Sequence, residues 1–131
     1  MRSVRRLPVK HLNILVVDDK KVIGDFFNLT MGYYGHQITV VHDLPHTIDA
    51  VKNHRFDIAF MDVMMPDRDG VEVLREVRLV KPGLPVVMMS GYSLDEKRKQ
   101  ASLLGATHCL KKPFEVDDIR RVIKEVIGEE S

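Results

Sequence analysis

The stretch Phe56-Asp57-Ile58-Ala59-Phe60-Met61-Asp62-Val63-Met64-Met65-Pro66-Asp67-Arg68-Asp69-Gly70 decides how this chain is read. Residues 57–61 are short and mostly apolar, which predicts a strand covered on both faces. Asp62 then stands at the carboxyl end of that strand. The Pro, Asp and Gly residues after it mark a loop that opens into a helix. A carboxylate in this place lies on the rim of a sheet rather than in its core, and the rim is where open α/β folds put their ligands.

Working outward, the same arrangement occurs earlier, where Ile14-Leu15-Val16-Val17 runs into Asp18-Asp19. Carboxylates converging on one rim repel each other unless a cation sits between them. A hard, oxygen-liking ion such as Mg²⁺ is the simplest occupant. Short apolar runs predict strands at 13–17, 37–41, 57–61, 85–89 and 107–110. Amphipathic stretches predict helices at about 20–34, 45–54, 70–80, 94–104 and 115–127. The last helix has the clearest stripe, with Val116, Ile119, Val122, Ile123, Val126 and Ile127 on one face. Pro82-Gly83 ends the third helix and Gly105 follows the fourth as a C-cap.

Alternating strands and helices imply a parallel sheet with helices on both faces. Right-handed crossovers leave few topologies. The expected one is a flavodoxin-like, doubly wound (βα)5 sandwich with strand order 2-1-3-4-5. That order sets the first and third strands side by side, so Asp18, Asp19 and Asp62 meet. Ser90 then ends the fourth strand and Lys111-Lys112-Pro113 ends the fifth, on the same rim. An acid pair, an acid, a hydroxyl and an amine suit phosphoryl chemistry. In such chemistry a carboxylate can act as the nucleophile, with Mg²⁺ and an ammonium to neutralise phosphoryl oxygens and a hydroxyl to donate to another.

Bulk properties agree. The 131 residues suit one domain, with 44% hydrophobic and 30% charged residues, a globular balance. A formal net charge of +1 gives no case for nucleic acid or an anionic membrane as partner. The single cysteine, Cys109, forms no internal disulfide, which suits a reducing compartment. With no apolar run near the length of a spanning helix and no signal-peptide core, the expected compartment is the cytoplasm. Residues 1–11 read as a flexible basic arm, 12–128 as the domain and 129–131 as a tail. His42 and His46 are four apart, but no further ligand is near and the six histidines show no metal-binding pattern.

These motifs together resemble the receiver domain of bacterial two-component response regulators. The resemblance runs from about Asn13 to Ile127. It rests on Val16-Val17-Asp18-Asp19, on Met61-Asp62 through Gly70, on Pro85 through Ser90-Gly91-Tyr92, and on Leu110-Lys111-Lys112-Pro113-Phe114. It implies that Asp62 is the phosphoacceptor, and that Asp18, Asp19, Asp62 and the Met64 backbone carbonyl hold Mg²⁺. It implies that Ser90 and Lys112 contact the phosphoryl group, and that the Lys112-Pro113 peptide is cis.

Further implications concern partners. The donor is the phosphohistidine of a sensor histidine kinase or phosphotransfer protein. The output partner, or a homodimer, uses the fourth helix, fifth strand and fifth helix, where Lys97, Arg98, Lys99, Arg120, Arg121 and Lys124 make the surface basic and hint at an acidic partner. Such a module acts chemically on itself and is not an enzyme turning over a substrate. It binds neither nucleic acid nor membrane directly. One departure stands out: the family's switching aromatic, three residues before the site lysine, is replaced by Cys109. Met64 and Tyr92, two residues after Asp62 and Ser90, are expected to shield the acylphosphate from water. A phosphatase of the haloacid dehalogenase type is disfavoured, because Met64 occupies the place of its second aspartate. A Rossmann-like nucleotide binder is disfavoured by the missing glycine-rich first loop.

Overall fold

The computed structural model describes residues 11–65, 69–91, 95–106 and 108–128, the side chains of 95–98 excepted. Expectations for the basic arm before residue 11, for Tyr92, for the side chains of Lys97 and Arg98, and for the tail lie outside the described residues.

Ten elements alternate along the described residues: β1 (Asn13–Val17), α1 (Lys21–Tyr33), β2 (Gln37–Val41), α2 (Leu44–Asn53), β3 (Ile58–Asp62), α3 (Gly70–Val80), β4 (Val86–Ser90), α4 (Asp95–Leu103), β5 (His108–Lys111) and α5 (Val116–Ile127). The strands form one parallel sheet in the order β2-β1-β3-β4-β5, as the alternation predicts. Central strands β3 and β4 are buried along their whole length, while edge strand β2 alternates with solvent. That is why the central strands read as continuous apolar runs.

Alternation of side chains across the pleat divides the core in two. Leu15, Val17, Ala59, Met61, Val86 and Met88 pack on Val51, Val73, Leu74, Val77 and Ala101 of α2, α3 and α4. Ile14, Val16, Ile58, Phe60, Val87 and Met89 pack on Phe27 and Met31 of α1 and Ile119, Val122 and Ile123 of α5. Phe27 touches both Phe60 and Phe114, with ring centroids 5.0 and 5.9 Å away, which ties the start of the β5–α5 connection to α1.

Caps set the helix starts. Asp43 accepts the His46 amide at α2, and Asp69 accepts the Val71 amide at α3. At α5 the Asp118 carboxylate reaches back to the Glu115 amide. Gly70 is required at the start of α3, because a Cβ there would collide with the Asp62 carbonyl oxygen and lie 2.7 Å from the Val63 Cα. Helix α3 therefore begins directly against the strand that carries Asp62.

Strands β3, β4 and β5 run over 58–62, 86–90 and 108–111, against the expected 57–61, 85–89 and 107–110. The ladder extends to Asp62, opposite Met89, and to Ser90, opposite Lys111. Backbone pairing does not need an apolar side chain. Asp57 still donates its amide to the Asn13 carbonyl at 2.8 Å, but the Asn13 amide is taken by the Asp57 carboxylate, also at 2.8 Å, so the regular ladder starts at Ile58.

Candidate functional site

The rim at the carboxyl ends of β1, β3 and β5 gathers four charged side chains. Asp18 follows β1, one step past the paired Val17 and Met61, so it arrives beside Asp62. Oxygens of Asp18, Asp19 and Asp62 all lie within 4.8 Å of one another, and no other such group of three metal-ligating side chains occurs among the described residues. Lys112, one residue past β5, sends its Nζ to 2.9 Å from Asp18 Oδ2 and 3.4 Å from Asp62 Oδ2. The Lys112-Pro113 peptide is cis.

Asp18 and Asp62 are buried and Asp19 is half-buried. Asp18 is held at both carboxylate oxygens, by the Lys20 amide on Oδ1 and by Lys112 on Oδ2. The Met64 amide donates to Asp62 Oδ1 at 3.1 Å. Asp19 Oδ1 is buried without a hydrogen-bond partner; the exposed Lys20 ammonium comes no closer than 3.7 Å. A buried, unpartnered carboxylate oxygen is costly in water-free surroundings. Three crowded carboxylates with one such oxygen are the donor set of a hard divalent cation, and Mg²⁺ fits it.

Electrostatics follow from this crowding. Burial raises the Asp62 pKa; the Met64 amide pulls it back, the Asp18 charge pushes it up, Lys112 pulls it down, and the outcome stays above the ordinary value. For Lys112 burial favours the neutral amine. The hydrogen bond and charge of Asp18, then Asp62, overcome this and raise its pKa. Lys112 is thus a firmly charged ammonium between two carboxylates.

Ser90 is buried at the end of β4. It shares the rim, and the Lys112 amide donates to its carbonyl at 2.7 Å. The pleat continues Ser90 on the Val86–Met88 side of the sheet, whereas Asp18, Asp62 and Lys112 follow the other side. Met64 is 51% exposed beside Asp62. Cys109 is half-buried opposite Met88 and packs against the core beneath α2, α3 and α4. One contact was not foreseen. His42 Nδ1 lies 2.7 Å from the Asp18 carbonyl oxygen, across 24 residues of sequence, and a histidine after an edge strand carries no periodic signal that would have revealed it.

A doubly wound flavodoxin-like domain with an acid–lysine pocket at its β1/β3 switch point defines an α/β module built to handle a charged ligand at one rim. The family model of the response regulator receiver domain matches residues 14–124, and the chain belongs to that family. The probable transcriptional regulatory protein TcrX of Mycobacterium tuberculosis is 32% identical over 116 residues, covering 88% of this chain and 50% of that protein. Among solved structures, the chain resembles Vibrio cholerae chemotaxis protein CheY4 (TM-score 0.84, 26% identity, 89% of this chain and 99% of that one). It also resembles a CheY-like receiver domain protein from Methanospirillum hungatei (TM-score 0.83, 27% identity, 88% and 93%). The chain spans about half the length of the curated relatives it matches. No helix among the described residues is long and apolar enough to cross a membrane.

Proposed function

We propose that this chain is the phosphoacceptor module of a two-component phosphorelay in the cytoplasm, with Asp62 as acceptor. The observation that carries the reading is Asp62 itself, a buried carboxylate held 3.4 Å from the Lys112 ammonium and crowded by Asp18 and Asp19. A carboxylate oxygen of Asp62 attacks the phosphorus of a phosphohistidine on a sensor kinase or phosphotransfer protein. The O–P bond forms, the N–P bond breaks, and the imidazole nitrogen keeps the electron pair. Lys112 neutralises one phosphoryl oxygen as a point charge, and the Ser90 hydroxyl donates to another after turning toward the acceptor. Asp18, Asp19, Asp62 and the Met64 carbonyl are the proposed Mg²⁺ ligands. When bound, the ion supplies positive charge against the crowded carboxylates and the phosphoryl oxygens. The protein mostly positions and neutralises, because charge in the transition state is spread over those oxygens.

The product is an acylphosphate on the domain itself, so the chemistry is self-modification rather than turnover of a substrate. The surface that changes on phosphorylation is α4, β5 and α5, for a protein partner or a second copy. Cys109 supplies no swinging aromatic, so the signal passes through Ser90 and the backbone around it. The test is intact mass after incubation with acetyl phosphate, with and without Mg²⁺. The expected result is a Mg²⁺-dependent gain of one phosphoryl group that is absent in Asp62→Asn. An equal gain in Asp62→Asn would overturn the assignment of the acceptor.

A further inference from the structure

We infer that His42 is a positioning residue for the acidic site, acting through the peptide that joins Asp18 to Asp19. The inference rests on the reading of Asp18, Asp19 and Asp62 as a divalent-cation site.

His42 immediately follows edge strand β2, and Asp18 immediately follows its neighbour β1. The ladder between them continues one step, with the Asp18 amide donating to the Val41 carbonyl at 3.1 Å. Beyond that step the histidine ring takes over, its Nδ1 lying 2.7 Å from the Asp18 carbonyl oxygen. A carbonyl oxygen only accepts, so Nδ1 carries the proton. Although His42 is exposed overall, the bond is partly buried, so it is the contact rather than packing that orients the ring.

Every polar atom of Asp18 is therefore engaged. Its amide meets Val41, its carbonyl His42, its Oδ1 the Lys20 amide and its Oδ2 the Lys112 ammonium. The carbonyl is the atom that fixes the plane of the Asp18–Asp19 peptide, because that plane is rigid. Rotating it would swing the Cα–Cβ bond of Asp19, whose Oδ1 is the buried oxygen without a partner. Holding the peptide from outside thus aims Asp19 at the other two carboxylates. It acts as an outer partner acts on a metal ligand, through the backbone rather than through the ligand's own side chain.

His46 provides the control. It lies four residues further on, and its Nδ1 contacts the Asp43 carboxylate at 2.8 Å at the start of α2. The test compares His42→Leu, which removes the donor, His42→Asn, which returns an N–H near the place of Nδ1, and His46→Leu. Mg²⁺ alone is titrated by calorimetry, and the metal-free proteins are read by ¹⁵N NMR at a pH where the ring is neutral.

His42→Leu is expected to weaken Mg²⁺ binding roughly 10-fold, at the lower end of what outer partners of metal ligands contribute. It should also shift the Asp19 amide resonance. His42→Asn should restore both readouts, and His46→Leu should move neither. Parental affinity in His42→Leu, equal loss in His42→Asn, equal loss in His46→Leu, or a ring proton on Nε2 would each overturn the proposal. If the parent chain binds no Mg²⁺, the cation reading fails. The Asp19 resonance then decides positioning by itself: a shift restored in His42→Asn supports it, and no shift overturns it.

Discussion

Replacing the proposed acceptor by its uncharged isostere should make the metal-free protein more stable, not less. Asp62 is attracted to Lys112 at 3.4 Å, which is worth about 5 kcal/mol at an effective dielectric constant of about 20. Its repulsion from the Asp18 oxygens, within 4.8 Å, is at least about 3.5 kcal/mol on the same footing. The two largely offset each other, so desolvation decides. Burying a carboxylate costs several kcal/mol, and the Met64 amide returns only about 1.5–3 kcal/mol. The balance is a net destabilisation of about 1–2 kcal/mol by the charge, in line with the raised Asp62 pKa. In Asp62→Asn the side-chain amide would keep an oxygen for the Met64 amide while shedding the charge, and Lys112 would keep Asp18.

The assay is urea unfolding at pH 7 in a chelator, with Asp62→Asn expected to gain about 1–2 kcal/mol, a rise in Tm of about 3–5 °C per kcal/mol. The sign of the pH dependence is fixed by the direction of the shift. A folded pKa above the unfolded one means the native state takes up its proton first on acidification. The penalty is complete above the raised folded value. It fades as pH falls through that value and is gone below the ordinary aspartate value of about 4, where both states are protonated. The advantage of Asp62→Asn must therefore shrink through that window. Adding Mg²⁺ should also shrink it, because the ion stabilises the parent through its carboxylates. A less stable Asp62→Asn in chelator at pH 7, or a gain that persists unchanged on acidification, would refute the reasoning.

Four other outcomes are expected. Lys112→Met should lower stability in chelator by about 3 kcal/mol, because it strands Asp18 and Asp62 as buried charges; chemical denaturation reads this, and Mg²⁺ should recover part of the loss. Gly70→Ala should cost about 3 kcal/mol by urea denaturation, the upper end for overpacking, since its Cβ meets backbone of Asp62 and Val63, and it should slow acetyl phosphate labelling of the folded protein. Arg78→Met should cost about 3 kcal/mol by the same assay. The half-buried guanidinium donates to the carbonyls of Lys81, Leu84, Leu104 and Gly105, all of which would lose this donor. His36 is buried and its Nδ1 accepts the Leu12 amide; burial, then the charges of His11 and Arg120, lower its pKa. Stability should therefore fall as pH drops below 6.5 toward the lowered folded value, and His36→Gln should flatten that part of the pH–stability profile.

Much of the fold was legible because central strands and amphipathic helices advertise themselves by period. β3 and β4 read as continuous apolar runs for the same reason that they are buried on both faces. The rim was legible because Asp18, Asp19, Asp62 and Lys112 directly follow or end such runs, and topology alone brings them together. What escaped the sequence were contacts made by polar side chains to distant backbone. Arg78 sits on α3 between Val77 and Leu79, and a charged helix residue is usually solvated, yet its partners are carbonyls within the α3–β4 and α4–β5 turns. His42 reads as a loop histidine. Neither carries a local pattern, since a carbonyl partner has no sequence signature.

That division bears on how the site works. The buried Asp62 charge opposes folding, and the protein tolerates it because apolar burial on both faces of the sheet supplies the stability it removes. A site assembled against its own repulsion holds its geometry only if something other than the charges fixes it. Besides the Lys112 ammonium on Asp18 and Asp62, the fixing groups are neutral: the Lys20 amide on Asp18, the Met64 amide on Asp62, the glycine that lets α3 abut β3, and the His42 ring on the Asp18 carbonyl. Neutral donors leave the excess negative charge intact, so the pocket stays attractive to a cation while its oxygens stay in place. Strengthening the site with further positive charge would stabilise the fold and weaken cation binding together, whereas loss of a neutral support should weaken cation binding with little gain in stability.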